Sequence, residues 1–294
     1  MATIRCIAVF ATLLGVDEQD ISIKSSNGDK FTVSNPNGLQ CFIKLCSFDE
    51  LKRTLNAIAM APEQALPALP IVDTFDSYQD GYRWVSWPLL ATNGFKAVTC
   101  ELDLELAWLR FKDCLYVLAD FHVKTGSLHG DCKLENFMFD SSGQPWLIGF
   151  GCFQGDLDMA NSKCLGKPIC LGTPAFAAPE CWSEGCGHDY CETIPGLDET
   201  ADVYSLAASF LARFHIKPAA GIALDRGESL DGAIHSCPNT NHRLLSEALH
   251  EKKGHYPGWE GRLDWLLQLC NPDVVGRYSS AQAIAALRLL EEHM

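Results

Sequence analysis

Asp131, Lys133 and Asn136 lie within one short segment, Leu128-His129-Gly130-Asp131-Cys132-Lys133-Leu134-Glu135-Asn136-Phe137-Met138. A carboxylate can receive a hydroxyl proton, an ammonium group can sit on a moving phosphoryl group, and an amide oxygen can ligate magnesium. Phosphoryl transfer calls for these three kinds of group at close quarters. Taken alone, the segment also reads as a surface turn whose polar residues fall together by chance.

Such side chains need elements to hold them. Leu104 to His122, just before the segment, carries Leu106, Leu109, Leu115, Leu118 and Phe121 at helical spacing. Upstream the chain reads as strand-rich: Ile21–Lys24 and Phe31–Val33 flank a turn at Ser25–Asp29 containing Asn-Gly, which suits positive φ. Cys41–Leu45, Ile71–Phe75 and Tyr82–Trp87 read as further strands. Ser47-Phe48-Asp49-Glu50 opens a helix in the capping manner, with Leu51, Leu55, Ile58 and Ala59 on one face. After Pro88 the pattern turns helical, with Val203–Phe214, Leu263–Leu269 and Ala281–Leu290 as core-facing segments. The pattern predicts an α+β chain forming a single domain: a small strand-rich lobe over 1–88, a larger helical lobe over 89–294, and a ligand cleft between them.

Composition narrows the partners. The chain has 294 residues and a formal net charge of −14, from 37 acidic against 23 basic side chains. An acidic surface repels phosphate backbones, so nucleic acid and anionic membranes are not expected partners. Met1–Val16 loosely mimics a secretory signal but leads into Asp17 and Glu18 without a small-x-small site, so it is read as a buried element of a cytoplasmic protein. The 14 cysteines show no disulfide-framework spacing and are read as reduced. Cys181, Cys186, His188 and Cys191 lie close enough to make a zinc site in principle, but their spacing matches no zinc motif, and scattered core or loop residues are expected instead.

The segment around Asp131 resembles the catalytic loop of protein kinases, in its serine/threonine form with a lysine two residues after the aspartate. That resemblance assigns Asp131 as proton acceptor, Lys133 as the cation on the phosphoryl group and Asn136 as a magnesium ligand. The His-Gly-Asp sequence also resembles the loop of small-molecule phosphotransferases, which share the bilobal fold. Gly172-Thr173-Pro174-Ala175-Phe176-Ala177-Ala178-Pro179-Glu180, however, resembles the end of a protein-kinase activation segment, which those enzymes lack. Asp202-Val203-Tyr204-Ser205-Leu206 resembles the start of the family's central helix, whose aspartate holds the catalytic loop. Arg277, after Asn271-Pro272-Asp273, resembles the arginine that pairs with Glu180. Phe42-Ile43-Lys44 resembles the strand whose lysine contacts the nucleotide phosphates, with Glu50 as its helix partner and Glu63, beyond Pro62, as the alternative. The resemblance implies ATP as ligand and a protein as substrate or partner.

Two departures set the expected activity. Pro145-Trp146-Leu147-Ile148 is followed by Gly149-Phe150-Gly151 where the family carries Asp-Phe-Gly, so a magnesium carboxylate is missing and magnesium or manganese should be weak or dispensable. Phosphotransfer is then expected to be weakened or lost. The competing readings are an atypical kinase, which transfers phosphate slowly or recruits a carboxylate such as Asp156 or Asp158, a pseudokinase that works by binding partners, and, third, a phosphotransferase acting on a small molecule. An aspartate at 149 is expected to restore the ligand. Gly130 stands where the family has an arginine that docks an activating phosphate, so phospho-activation is not expected. His129 is read as a packing residue, and Thr173 as a contact of Asp131. Around Gly28 no glycine-rich phosphate loop is present.

Overall fold

The computed structural model describes residues 11, 17–27, 30–34, 40–65, 82–88, 92–93, 104–153, 169–183, 197–214, 246–251 and 253–293. Among them, β1 (Ser22–Asn27), β2 (Lys30–Ser34), β3 (Gln40–Ser47) and β4 (Tyr82–Pro88) form an antiparallel sheet in that order. Asn27 pairs with Lys30, so the expected hairpin forms, with strands longer than the sequence pattern indicates. The segment 71–75 lies outside the described residues. Two smaller antiparallel sheets join β5 (Thr92–Asn93), β6 (Phe137–Phe139) and β7 (Pro145–Leu147), and β8 (Ile169–Cys170) with β9 (Trp182–Ser183).

The first helix, α1 (Phe48–Met60), follows β3 without a loop. Ser47 ends the strand and caps the helix, its hydroxyl accepting from Glu50 N at 3.1 Å. The helix stops before Pro62, which cannot continue it. Its buried face is Leu51, Thr54 and Ala57 rather than the expected stripe through Leu55 and Ala59; Leu55 is 43% exposed. The small side chains of Ala57, Ala61 and Ala65 let this end approach the main core closely, while Leu51 meets Cys46 and Val85 beneath the sheet.

The core of the helical part surrounds α2 (Leu104–Thr125) and α3 (Thr200–Leu211), with α4 (Glu260–Leu269) and α5 (Ser280–Glu292) packed outside. The early part of α2 corrects the sequence reading. Leu106 and Leu109 are 38% and 50% exposed, and Ala107, Trp108 and Phe111 face inward. Trp108 wins this face because its ring meets Trp259 and Trp265, each with centroids 5.6 Å away in edge-on geometry. Every residue of α3 is buried, its polar Asp202 and Ser209 included. The chain is thus mixed α+β, with small antiparallel sheets and several helices, compatible with a protein-kinase-like fold. Among the described residues no helix is long and apolar enough to cross a membrane.

Candidate functional site

Lys44 lies on β3 and forms an ion pair with Glu50 in the first turn of α1. Only six residues separate them. The span suffices because strand passes directly into helix at Ser47, which places the first turn of α1 beside the strand's end. The alternative partner, Glu63, pairs with Lys124 instead.

The second group gathers where the chain leaves α2. Asp131 Oδ1 accepts from the Thr173 hydroxyl at 2.6 Å, and its Oδ2 lies 3.2 Å from Lys133 Nζ. Lys133 in turn donates to Thr173 Oγ1, so three residues from two chain segments close a polar ring. Asn136 donates from Nδ2 to the backbone oxygen of Asp131 at 2.7 Å and to its carboxylate at 3.1 Å.

Buried polar groups hold this loop from beneath. Asp202, at the start of α3, accepts from His129 N at 2.6 Å and Gly130 N at 2.9 Å. His122 Nε2 lies 3.0 Å from the same carboxylate, and His122 Nδ1 lies 3.0 Å from Ser280 Oγ. Burial by itself would raise the Asp202 pKa, but the His122 contact, the nearby imidazoles and the His129 amide outweigh it and hold the carboxyl low. His129 accepts from Asp131 N at Nδ1 and meets Ile148 O at 2.8 Å through Nε2. Burial pushes its pKa down, in keeping with a neutral ring. His129 also meets Phe150 edge-on at 5.1 Å, so it both packs and orients the loop.

The two groups are joined through the turn after β7. Gly149 adopts φ +83 and ψ 36, left-handed backbone, and opens a short 3-10 turn, Phe150–Cys152. A Cβ at Gly149 would lie 2.6 Å from Asn136 Oδ1 and 2.7 Å from its Cγ. An aspartate at this position would therefore meet opposition from both the left-handed backbone and the Asn136 side chain. On the other side of Phe150, Gly151 lies beside Glu50, and its carbonyl accepts from Arg53 Nη1 at 2.8 Å.

Gly130 has a local cause as well. At φ +80, its missing Cβ would run into the carbonyl of Cys152 and lie 3.0 Å from that residue's Cβ. A Cβ on Gly172, at φ +87, would likewise lie 2.5 Å from Gly130 O. Backbone thus rests on backbone around Asp131. Burial chiefly, and then the Asp131 charge, raise the Cys152 pKa, with the Gly172 backbone first, and then Arg53 and Lys133, working against them.

Among the described residues around Asn136, its amide oxygen faces Gly149 rather than a carboxylate, and the Asp131 carboxylate is engaged by Thr173, Lys133 and Asn136. Asp156 and Asp158 lie outside the described residues, as do Cys186, His188 and Cys191; Cys181 is buried at the turn Pro179–Cys181. No cluster of three or more metal-ligating side chains occurs among the described residues.

Glu180 and Arg277 are brought together as expected. The guanidinium pairs with both carboxylate oxygens, Nη2 to Oε2 at 3.1 Å, donates from Nε to Asn271 O at 2.7 Å, and lies 4.9 Å above the Tyr204 ring. Sequence reasoning missed Arg53, Ser209 and Ser280. Arg53 was findable, standing three residues after Glu50 on the same helical face. Ser209, whose hydroxyl accepts from Leu134 N at 3.1 Å, is hidden inside an apolar helix pattern.

The chain matches no established protein-family profile. It is 27% identical over 148 residues to the calcium/calmodulin-dependent protein kinase kinase of Caenorhabditis elegans, an alignment covering 48% of this chain and 25% of that protein. The chain therefore spans about a quarter of that relative's length, and the similarity indicates a protein-kinase-like relationship.

Proposed function

We propose that the chain is a single bilobal protein-kinase-like domain, residues 1–88 and 89–294, that binds ATP and transfers phosphate to protein serine or threonine weakly or not at all. The observation that carries this reading is the Lys44–Glu50 ion pair, formed across an unusually short span at the end of β3. Two half-exposed charges held together in this way have no evident part in the core, and a cation so placed suits phosphate oxygens. The Asp131–Lys133–Thr173 ring supplies a carboxylate and a second cation of the kinds phosphoryl transfer uses. Magnesium or manganese is weakly held or dispensable, because Gly149 offers no carboxylate.

The same glycine favours a second reading, an interaction module of the pseudokinase kind that acts without catalysis. A protein substrate in the first case, or a protein partner in the second, completes the proposal, in a cytoplasmic setting. Incubation with γ-labelled ATP and a generic protein substrate separates the two. Slow incorporation that disappears in Asp131→Asn supports phosphotransfer. No incorporation by a protein that still binds ATP supports the interaction module. A protein that does neither refutes the nucleotide reading.

A further inference from the structure

The turn after β7 contains glycine on both sides of Phe150, and glycine loses more backbone freedom on ordering than any other residue. A carboxylate at 149 bound to a metal would anchor such a turn; Gly149 cannot. Something else must hold it. Phe150 fixes one side, its buried ring packed against His129 at 5.1 Å and Phe121 at 5.7 Å between centroids. The other side is the Gly151 carbonyl, and Arg53 donates to it from α1 at 2.8 Å. One helical turn earlier, the stem and carboxylate of Glu50 lie 3.6–3.8 Å from where a Gly151 Cβ would stand. The helix that presents Glu50 to Lys44 thus also grips the turn that faces Asn136.

We propose that Arg53 is a positioning residue: it clamps the Gly149–Cys152 turn to α1 and so keeps Lys44–Glu50 and Asn136–Asp131 in one arrangement without a metal. A charged donor on a backbone carbonyl is among the stronger hydrogen bonds, and this one crosses between segments 98 residues apart in sequence. Arg53 acts through the turn rather than on a reacting atom. Its consequence for ATP rests on the nucleotide reading above; its consequence for the turn does not.

The experiment compares wild type, Arg53→Met and Arg53→Lys by amide hydrogen exchange without nucleotide. The reporter is the Phe153 amide, which donates to Phe150 O at 3.1 Å and closes the turn. Arg53→Met should speed exchange there roughly tenfold while amides of α2 keep their wild-type rates, and Arg53→Lys, which retains a donor and the charge, should recover part of the protection. Unchanged Phe153 exchange in Arg53→Met overturns the proposal. So does an equal rise throughout α2, which would make Arg53 a general stability residue. In a second arm, ATP in EDTA should bind Arg53→Met about fivefold to tenfold more weakly than wild type, with Arg53→Lys between them. If wild type binds no ATP, the nucleotide reading fails, and the exchange arm still decides the role of Arg53.

Discussion

The side-chain amide of Asn136 occupies the space into which a Cβ on Gly149 would project, with Oδ1 only 2.6 Å from that point. The absent carboxylate is therefore built into the shape of the site. The backbone at 149 is left-handed, and the neighbouring amide has closed over it while bonding Asp131.

This relationship makes Gly149→Asp a costly substitution. Aspartate tolerates left-handed backbone better than most residues, yet it must displace Asn136 from its two bonds to Asp131. We expect a loss of about 1–2 kcal/mol in chemical denaturation and no magnesium-dependent gain in phosphotransfer. Full stability together with new magnesium-dependent activity would show that the turn adapts and that the missing carboxylate alone limits catalysis.

Glu180 and Arg277 make a buried pair, with side chains 8% and 0% exposed. Removing either leaves the other charged in the interior, so Arg277→Met and Glu180→Ala should each cost about 3–5 kcal/mol. The double variant should cost clearly less than the sum, because the second truncation removes the orphaned charge. Unchanged melting temperatures in both single variants would contradict the pairing.

His129 supplies a pH dependence. Its folded pKa lies below the ordinary 6.5, so the unfolded chain binds a proton that the folded chain refuses. Stability should fall as pH drops below about 6.5, by at most about 1.4 kcal/mol per pH unit, and level off once pH passes below the folded value. The Asp202 carboxyl, also held low, adds a loss in the same direction at more acid pH. Urea titrations between pH 7.5 and 5 in wild type and His129→Gln measure this; an equal slope in the variant would exclude His129 as its source.

How much of this was legible in the sequence depended on whether a residue acts through its type or its place. Lys44, Glu50, Asp131, Lys133, Asn136 and Asp202 could be picked out because the segments that carry them resemble protein-kinase motifs; in the structure Lys44 pairs with Glu50, Asp131 meets Lys133 and Asn136, and Asp202 accepts from the His129 amide. The hairpin at Asn27 and the cap at Ser47 were legible from turn and capping chemistry. The faces of α1 and of early α2 were not, because apolar periodicity does not say which of two adjacent stripes meets a large partner. Trp108 is buried and Leu109 exposed for that reason. Gly130 and Gly149 stood out in the sequence as missing side chains, and at Gly149 a positive φ was the foreseeable obstacle to replacing one. The atoms crowding them appear only once Cys152 and Asn136 are in place. The position of Arg53 on the Glu50 face of the helix was legible, but its partner was not, because that partner is a backbone carbonyl.

The central claim is a nucleotide-phosphate site that works through Lys44 with little help from a metal. Thermal unfolding with millimolar ATP, in EDTA and in excess magnesium, tests it most directly in wild type and Lys44→Ala. A ligand at a hundred times its Kd stabilises the native state by about 2.7 kcal/mol, enough to move the midpoint by several degrees. We predict such a rise in wild type, nearly equal with and without magnesium, and none in Lys44→Ala. No rise in wild type, or one that appears only with magnesium, would contradict the account.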